Sequence, residues 1–187
     1  MRRFLMAAAL VIGCCSATLA DDVETQPYWI KFKVGSWVRT KTTTKMDMPQ
    51  MKMETLTLTT TTLVEVTDSE LTFEYAIEST TIMNGAETKS PPSKANQKMP
   101  RKVKRPETTE QPASAAKTET GTEEIEVGGK KIKCTWSTFA SEASGMKTSG
   151  KAWICEDVPS AMVKSESKTE GAANTESTMV AEAWEAK

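Results

Sequence analysis

The stretch from Lys130 to Asp157, KKIKCTWSTFASEASGMKTSGKAWICED, limits the folds open to this chain more than any other. It contains Ser144-Gly145, a dipeptide that marks turns. A two-residue hairpin at that point sets Glu142 opposite Lys147, Trp136 opposite Trp153 and Cys134 opposite Cys155. One register satisfies all three pairs. Counted outward from the turn, all three fall at non-hydrogen-bonded positions, where Cβ atoms approach most closely. That is the geometry a cross-strand disulfide needs. The expectation is a Cys134–Cys155 staple beside a Trp136–Trp153 clamp, with Phe139 lying over Gly150 on the other face. Closing a loop of about 22 residues stabilises a fold by about 3 kcal/mol in the chain-entropy model. A catalytic redox pair is more often Cys-x-x-Cys, so the staple reads as structural.

Period-two alternation extends this β reading through the chain. Ser36 to Thr44 alternates Trp37 and Arg39 against Val38 and Thr40. After a turn in Met46 to Met51, the run MKMETLTLTTTTLVEV puts Leu56, Leu58, Thr60, Thr62, Val64 and Val66 on one face. Leu71, Phe73, Tyr75 and Ile77 then alternate with polar residues. Asn84 to Gly121 breaks the pattern with Pro91, Pro92, Pro100, Pro106 and Pro112, and reads as a long flexible basic loop. Gly128-Gly129 is a tight turn before the clamped hairpin. The final stretch NTESTMVAEAWEAK suits either a strand or a short helix. Ahead of the first strand, Pro27 suits the start of a short helix bearing Tyr28, Trp29 and Phe32. The expected fold is mainly β: a single antiparallel meander of about eight strands forming a curved sheet or open half-barrel. A short N-terminal helix and a long disordered loop at about 84–121 complete the single domain over residues 21–187.

Residues 1–20, MRRFLMAAALVIGCCSATLA, read as a signal peptide. Arg2 and Arg3 precede an apolar run, and small residues lead to Ala20. The run is too short to span a bilayer, and the mature protein is expected to have no transmembrane span. Cleavage after Ala20 leaves an even pair of cysteines in a periplasmic or extracellular protein. Val11-Ile12-Gly13-Cys14 alternatively resembles a lipobox, which makes the protein a lipoprotein anchored through Cys14 and leaves Cys15 unpaired. The chain has no histidine. That excludes Ser-His-Asp and Cys-His catalysis and the commonest transition-metal ligand. No GxSxG, phosphate-binding glycine loop or cluster of metal-ligating acids stands out. The expectation is a protein that is not an enzyme and has no cofactor.

Two clusters still carry chemistry. Met46, Met48, Met51 and Met53 form MDMPQMKM, soft thioethers that suit Cu(I) or Ag(I) outside the cytoplasm, or else flexible filler at a hairpin tip. Lys98, Arg101, Lys102, Lys104 and Arg105 suit an anionic envelope component. Without interleaved aromatics they make no stacking platform for nucleic acid.

Gly35-Ser36-Trp37-Val38, Gly128-Gly129, Trp153, Val158-Pro159 and Lys164 together resemble exported bacterial envelope proteins of the lipoprotein-carrier (LolA/LolB-like) half-barrel type. The resemblance spans most of residues 28–184. It implies an open, curved sheet whose concave side shelters an acyl chain or other hydrophobic small molecule. Trp37, Leu56, Leu58, Phe73, Tyr75, Trp136 and Trp153 are then expected to face the ligand or the core. The competing expectation is a structural or interaction protein of the envelope with a filled core and no ligand. An apolar cavity of several hundred cubic ångströms separates the two.

Overall fold

The computed structural model describes residues 22–104, 118–143, 145–171 and 173–187. The strands are β1 (Asp22–Glu24), β2 (Trp37–Met48), β3 (Met51–Val66), β4 (Glu70–Met83), β5 (Ala86–Pro100), β6 (Lys102–Lys104), β7 (Thr120–Val127), β8 (Lys130–Ala143), β9 (Met146–Ile154), β10 (Met162–Glu170) and β11 (Asn174–Glu185). β1 and β6 pair with each other. The other nine form one antiparallel sheet in the order β5-β4-β3-β2-β11-β10-β9-β8-β7. The sheet is open, with β5 and β7 at its edges. It also curls. A Cβ built on Gly128, just after β7, lies 3.3 Å from the Glu182 carbonyl oxygen on β11, four strands away in the order.

Three expectations are corrected. The strands among the described residues number eleven rather than about eight. The N-terminal helix is only a single 3-10 turn, Trp29–Lys31, with no side-chain cap at Tyr28. Three residues leave too few internal hydrogen bonds for a helix, and buried Trp29 anchors the turn instead. Among the described residues of the expected flexible loop, Ala86–Pro100 and Lys102–Lys104 are β5 and β6. β5 pairs along β4 from Met83↔Ala86 to Glu70↔Pro100. Pro91 and Pro92 fall where the register shifts between Ile77↔Ser93 and Ser79↔Ser90. A bulge on an edge strand is where missing N–H donors are tolerated. Residues 105–117, with Pro106 and Pro112, lie outside the described residues, as do Met1 to Ala20 and Cys14.

The clamped hairpin has the expected register. Glu142 faces Lys147, Phe139 faces Gly150 and Trp136 faces Trp153. The final stretch is strand through Glu185.

The buried residues gather at one end of the strands. Val38 lies near the start of β2, Leu63 near the end of β3, and Leu71 and Phe73 near the start of β4. Trp153 lies near the end of β9, Val163 near the start of β10 and Ala181 late in β11. Antiparallel pairing brings these positions together. Trp29 meets Phe73 edge-on at 5.1 Å between ring centroids. The 155–162 loop adds Val158 and Ala161, folding on itself through Cys155 N–H to Ala161 O at 2.7 Å. The C-terminus is tied in at the same end, where the Lys187 amide donates to the buried Ser36 hydroxyl at 2.9 Å.

Candidate functional site

Beyond this packed end the sheet is a polar blade, and the register gives each face its own chemistry. On one face, Lys168, Glu176, Lys45 and Glu54 stand directly opposite one another across β10, β11, β2 and β3, so charge alternates in sign along the row. One row nearer the core run Trp136, Trp153, Lys164, Val180, Lys41 and Leu58, with a row of Lys151, Glu166, Thr178, Thr43 and Leu56 between the two. The reverse face is uncharged over the same strands. Ser167, Ser177, Thr44, Thr55, Thr81 and Thr88 form an unbroken hydroxyl row across six strands. Neighbouring hydroxyls bond, as in Thr44–Ser177 at 3.2 Å and Thr148–Thr169 at 3.0 Å.

The clefts lie mainly over the charged face. One of about 450 Å³ is edged by Lys45, Asp47, Lys52, Glu54, Lys168 and Glu176. A second, of about 320 Å³, is edged by Lys151, Glu166, Lys168 and Thr178. A third, of about 250 Å³, is lined by Leu56 and Leu58 with Glu78, Lys89 and Pro92. Another of about 570 Å³ lies beside the 155–162 loop, with Tyr28, Lys133, Glu156 and Asp157 around it. All are open to solvent and carry charged side chains.

The tryptophan clamp gathers several side-chain contacts on the charged face. Trp136 lies against Gly121, where an added Cβ would stand 2.6 Å from the indole. The Lys151 ammonium sits 4.1 Å from the Trp136 ring and 4.4 Å from that of Trp153, and Lys164 lies 4.5 Å from Trp153. Glu123 closes the group, accepting from Trp153 Nε1 at 2.9 Å and from Lys151 Nζ at 3.3 Å. The indole hydrogen bond first, and Lys151 second, hold the Glu123 carboxyl below the usual carboxylate range. Bare glycine on one side and a lysine on the other make Trp136 a packing element rather than an open stacking platform.

The residues expected to face the ligand or the core do not share one surface, though Phe73 and Trp153 are buried in the core and Tyr75 and Trp136 pack against it. Trp37, Leu56, Leu58, Trp136 and Trp153 lie on the charged face. Phe73 and Tyr75 stand opposite Leu63 and Thr61, whose odd positions place them on the reverse face. Phe73 is core, and burial pushes the neighbouring Tyr75 hydroxyl upward. The face expected to run from Leu56 to Val66 is broken at Val64, where β3 bulges against β4.

The disulfide is also corrected: Cys134 and Cys155 are buried free thiols. The β8–β9 ladder ends at Thr135↔Ile154, one step short of the cysteines. There the Cys155 amide turns away to Ala161. Burial, and then the adjoining Cys155, push the Cys134 thiol up to about 11.

The basic cluster is partly neutralised in place. Lys98 pairs with Glu70 at 3.4 Å and Arg101 with Glu24 at 3.8 Å. Lys102 and Lys104 stand opposite Glu24 and Asp22 in the β1–β6 pair. Arg105 lies outside the described residues. Met46, Met48, Met51 and Met53 sit in the tip of the β2–β3 hairpin, in the register Met46↔Met53 and Met48↔Met51.

Sequence reasoning missed the hydroxyl face, although the T-x-T spacing in TLTLTTTT is its signature. It also missed Glu123, because nothing local ties a glutamate on β7 to an indole on β9. Comparison of the chain with protein-family models, curated proteins and solved structures gives no match.

Proposed function

We propose that this chain is an exported, non-enzymatic interaction protein of the cell envelope, which meets its partner through the broad faces of the sheet. The observation that carries this reading is the chemistry of those faces. One bears charge of alternating sign and the other an unbroken row of hydroxyls, over the stretches of strand that lie beyond the packed end. Such faces offer many hydrogen bonds and ion pairs over a wide area, which suits a polar polymer or protein surface. The partly neutralised basic strip at Lys98 to Lys104 supplies a secondary anionic contact. Export rests on Met1 to Ala20.

A second reading, a holder of a lipid or other hydrophobic ligand, is favoured by the cleft lined by Leu56 and Leu58 and by the resemblance to half-barrel carriers. Its small size and charged margin place it second.

Two measurements on the full secreted chain separate the readings. Native mass spectrometry should give the bare protein mass. Co-sedimentation with envelope fragments of the producing cells should retain the protein and fall away as salt is raised. A stoichiometric co-purified lipid, with no retention on the fragments, would reverse the order.

A further inference from the structure

The far end of the sheet gathers methionines that are apart in sequence. Met46 stands directly opposite Met53, and Met53 directly opposite Met83. Opposite residues share a face, so three thioethers lie side by side on β2, β3 and β4. Met48 and Met51 form a further pair on that face, nearer the turn. Directly opposite Cβ atoms are about 4.5–5.5 Å apart. Each side chain has several rotatable bonds, so neighbouring sulfurs can converge on one ion.

The flanks of the row are uncharged, with Thr175 opposite Met46 and Ala86 opposite Met83. The charged neighbours Lys45, Asp47, Lys52 and Glu54 alternate with the methionines and so belong to the other face. The donor set is therefore thioether alone, which selects soft monovalent cations over Ca²⁺, Mg²⁺ or Zn²⁺. Core filling does not account for the row. It lies at the opposite end of the strands from the buried cluster, and Met83 is 46% exposed.

We propose that Met46, Met53 and Met83 form a binding site for a soft monovalent cation, Cu(I) or Ag(I), with Met48 and Met51 as outer donors. Met83 is separated by 30 positions of chain from Met53 and joins them only through the β3–β4 register.

Titration of the full chain with silver nitrate in chloride-free buffer, followed through the methionine methyl signals in NMR, tests this. The expected result is saturable one-to-one binding that moves the methyls of Met46, Met53 and Met83 and leaves Met162 in place. Met53→Leu and Met83→Leu conserve volume. Each should weaken binding by about tenfold or more, whereas Met162→Leu should not. Circular dichroism checks that the variants fold. Absence of saturable binding overturns the proposal. So does binding that survives both substitutions, or silver that reaches only Cys134 and Cys155 without moving the methionine methyls.

Discussion

β3 runs through both regions of this molecule. Leu63, near its end, is fully buried opposite Phe73, while Thr61 back to Met51 is half-buried or exposed. The same contrast holds on β9 and β10, where Trp153 and Val163 are buried while Met146 to Ala152 and Lys164 to Glu170 are half-buried or exposed. The packed end gains its stability from apolar area removed from water, about 25 cal/mol per Å². The blade gains its stability from the backbone ladder and from cross-strand pairs of about 0.2–1 kcal/mol each. One antiparallel sheet is thus anchored at one end, with both faces of the other left free for contact.

The largest expected effect lies in the anchor. Phe73→Ala opens the core beneath Trp29 and should cost about 3–5 kcal/mol. Phe139→Ala on the exposed hairpin should cost about 1 kcal/mol or less. Urea denaturation of the two variants reads the comparison directly, and equal losses would break it.

Next comes the Cys134 thiol. A rise from 9.0 to about 11 leaves about a hundredfold less thiolate near pH 8. Iodoacetamide should therefore label native protein slowly and urea-unfolded protein quickly, as mass spectrometry can follow. Rapid labelling of the native thiol would mean that the anchor is looser than described.

Gly150→Ala sharpens the boundary between the regions. Its added methyl meets both the Glu166 carbonyl oxygen and the Phe139 ring. The backbone oxygen cannot swing aside, so a loss of about 1–3 kcal/mol is expected in thermal unfolding.

The smallest effect concerns Glu123. Its folded-state pKa lies below the ordinary value. Its contribution is therefore present above the ordinary carboxylate range and lost as pH falls through the folded value. Glu123→Gln should flatten the acid limb of Tm against pH, with little change in the steepness of the alkaline side.

What the sequence made legible follows the same division. The hairpin register from Glu142↔Lys147 to Trp136↔Trp153 could be read because a turn dipeptide and complementary side chains specify it together. The strands containing Leu56, Leu58, Phe73 and Tyr75 could be read from alternation. β5 could not, because an edge strand exposed along almost its whole length carries no apolar period. Its Pro91-Pro92 pair looks like a breaker until the bulge is known. Asn84-Gly85 was the available signal. Both residues have positive φ, 49° and 88°, as a two-residue hairpin turn requires. The faces of Phe73 and Tyr75 relative to Leu56 and Leu58 depended on the β3–β4 register, which no local pattern states. The cysteines illustrate a last limit: correct strand register carried them to the end of the ladder, not into a bond.

Amide hydrogen exchange along β2, β3 and β4 tests the division most directly. The slowest exchange is expected around Val38, Leu63 and Phe73. Exchange should quicken progressively along the same strands toward Met46, Met53 and Met83. Uniform protection from Leu63 to Met53 would contradict it, because the blade would then be held by something other than its own ladder.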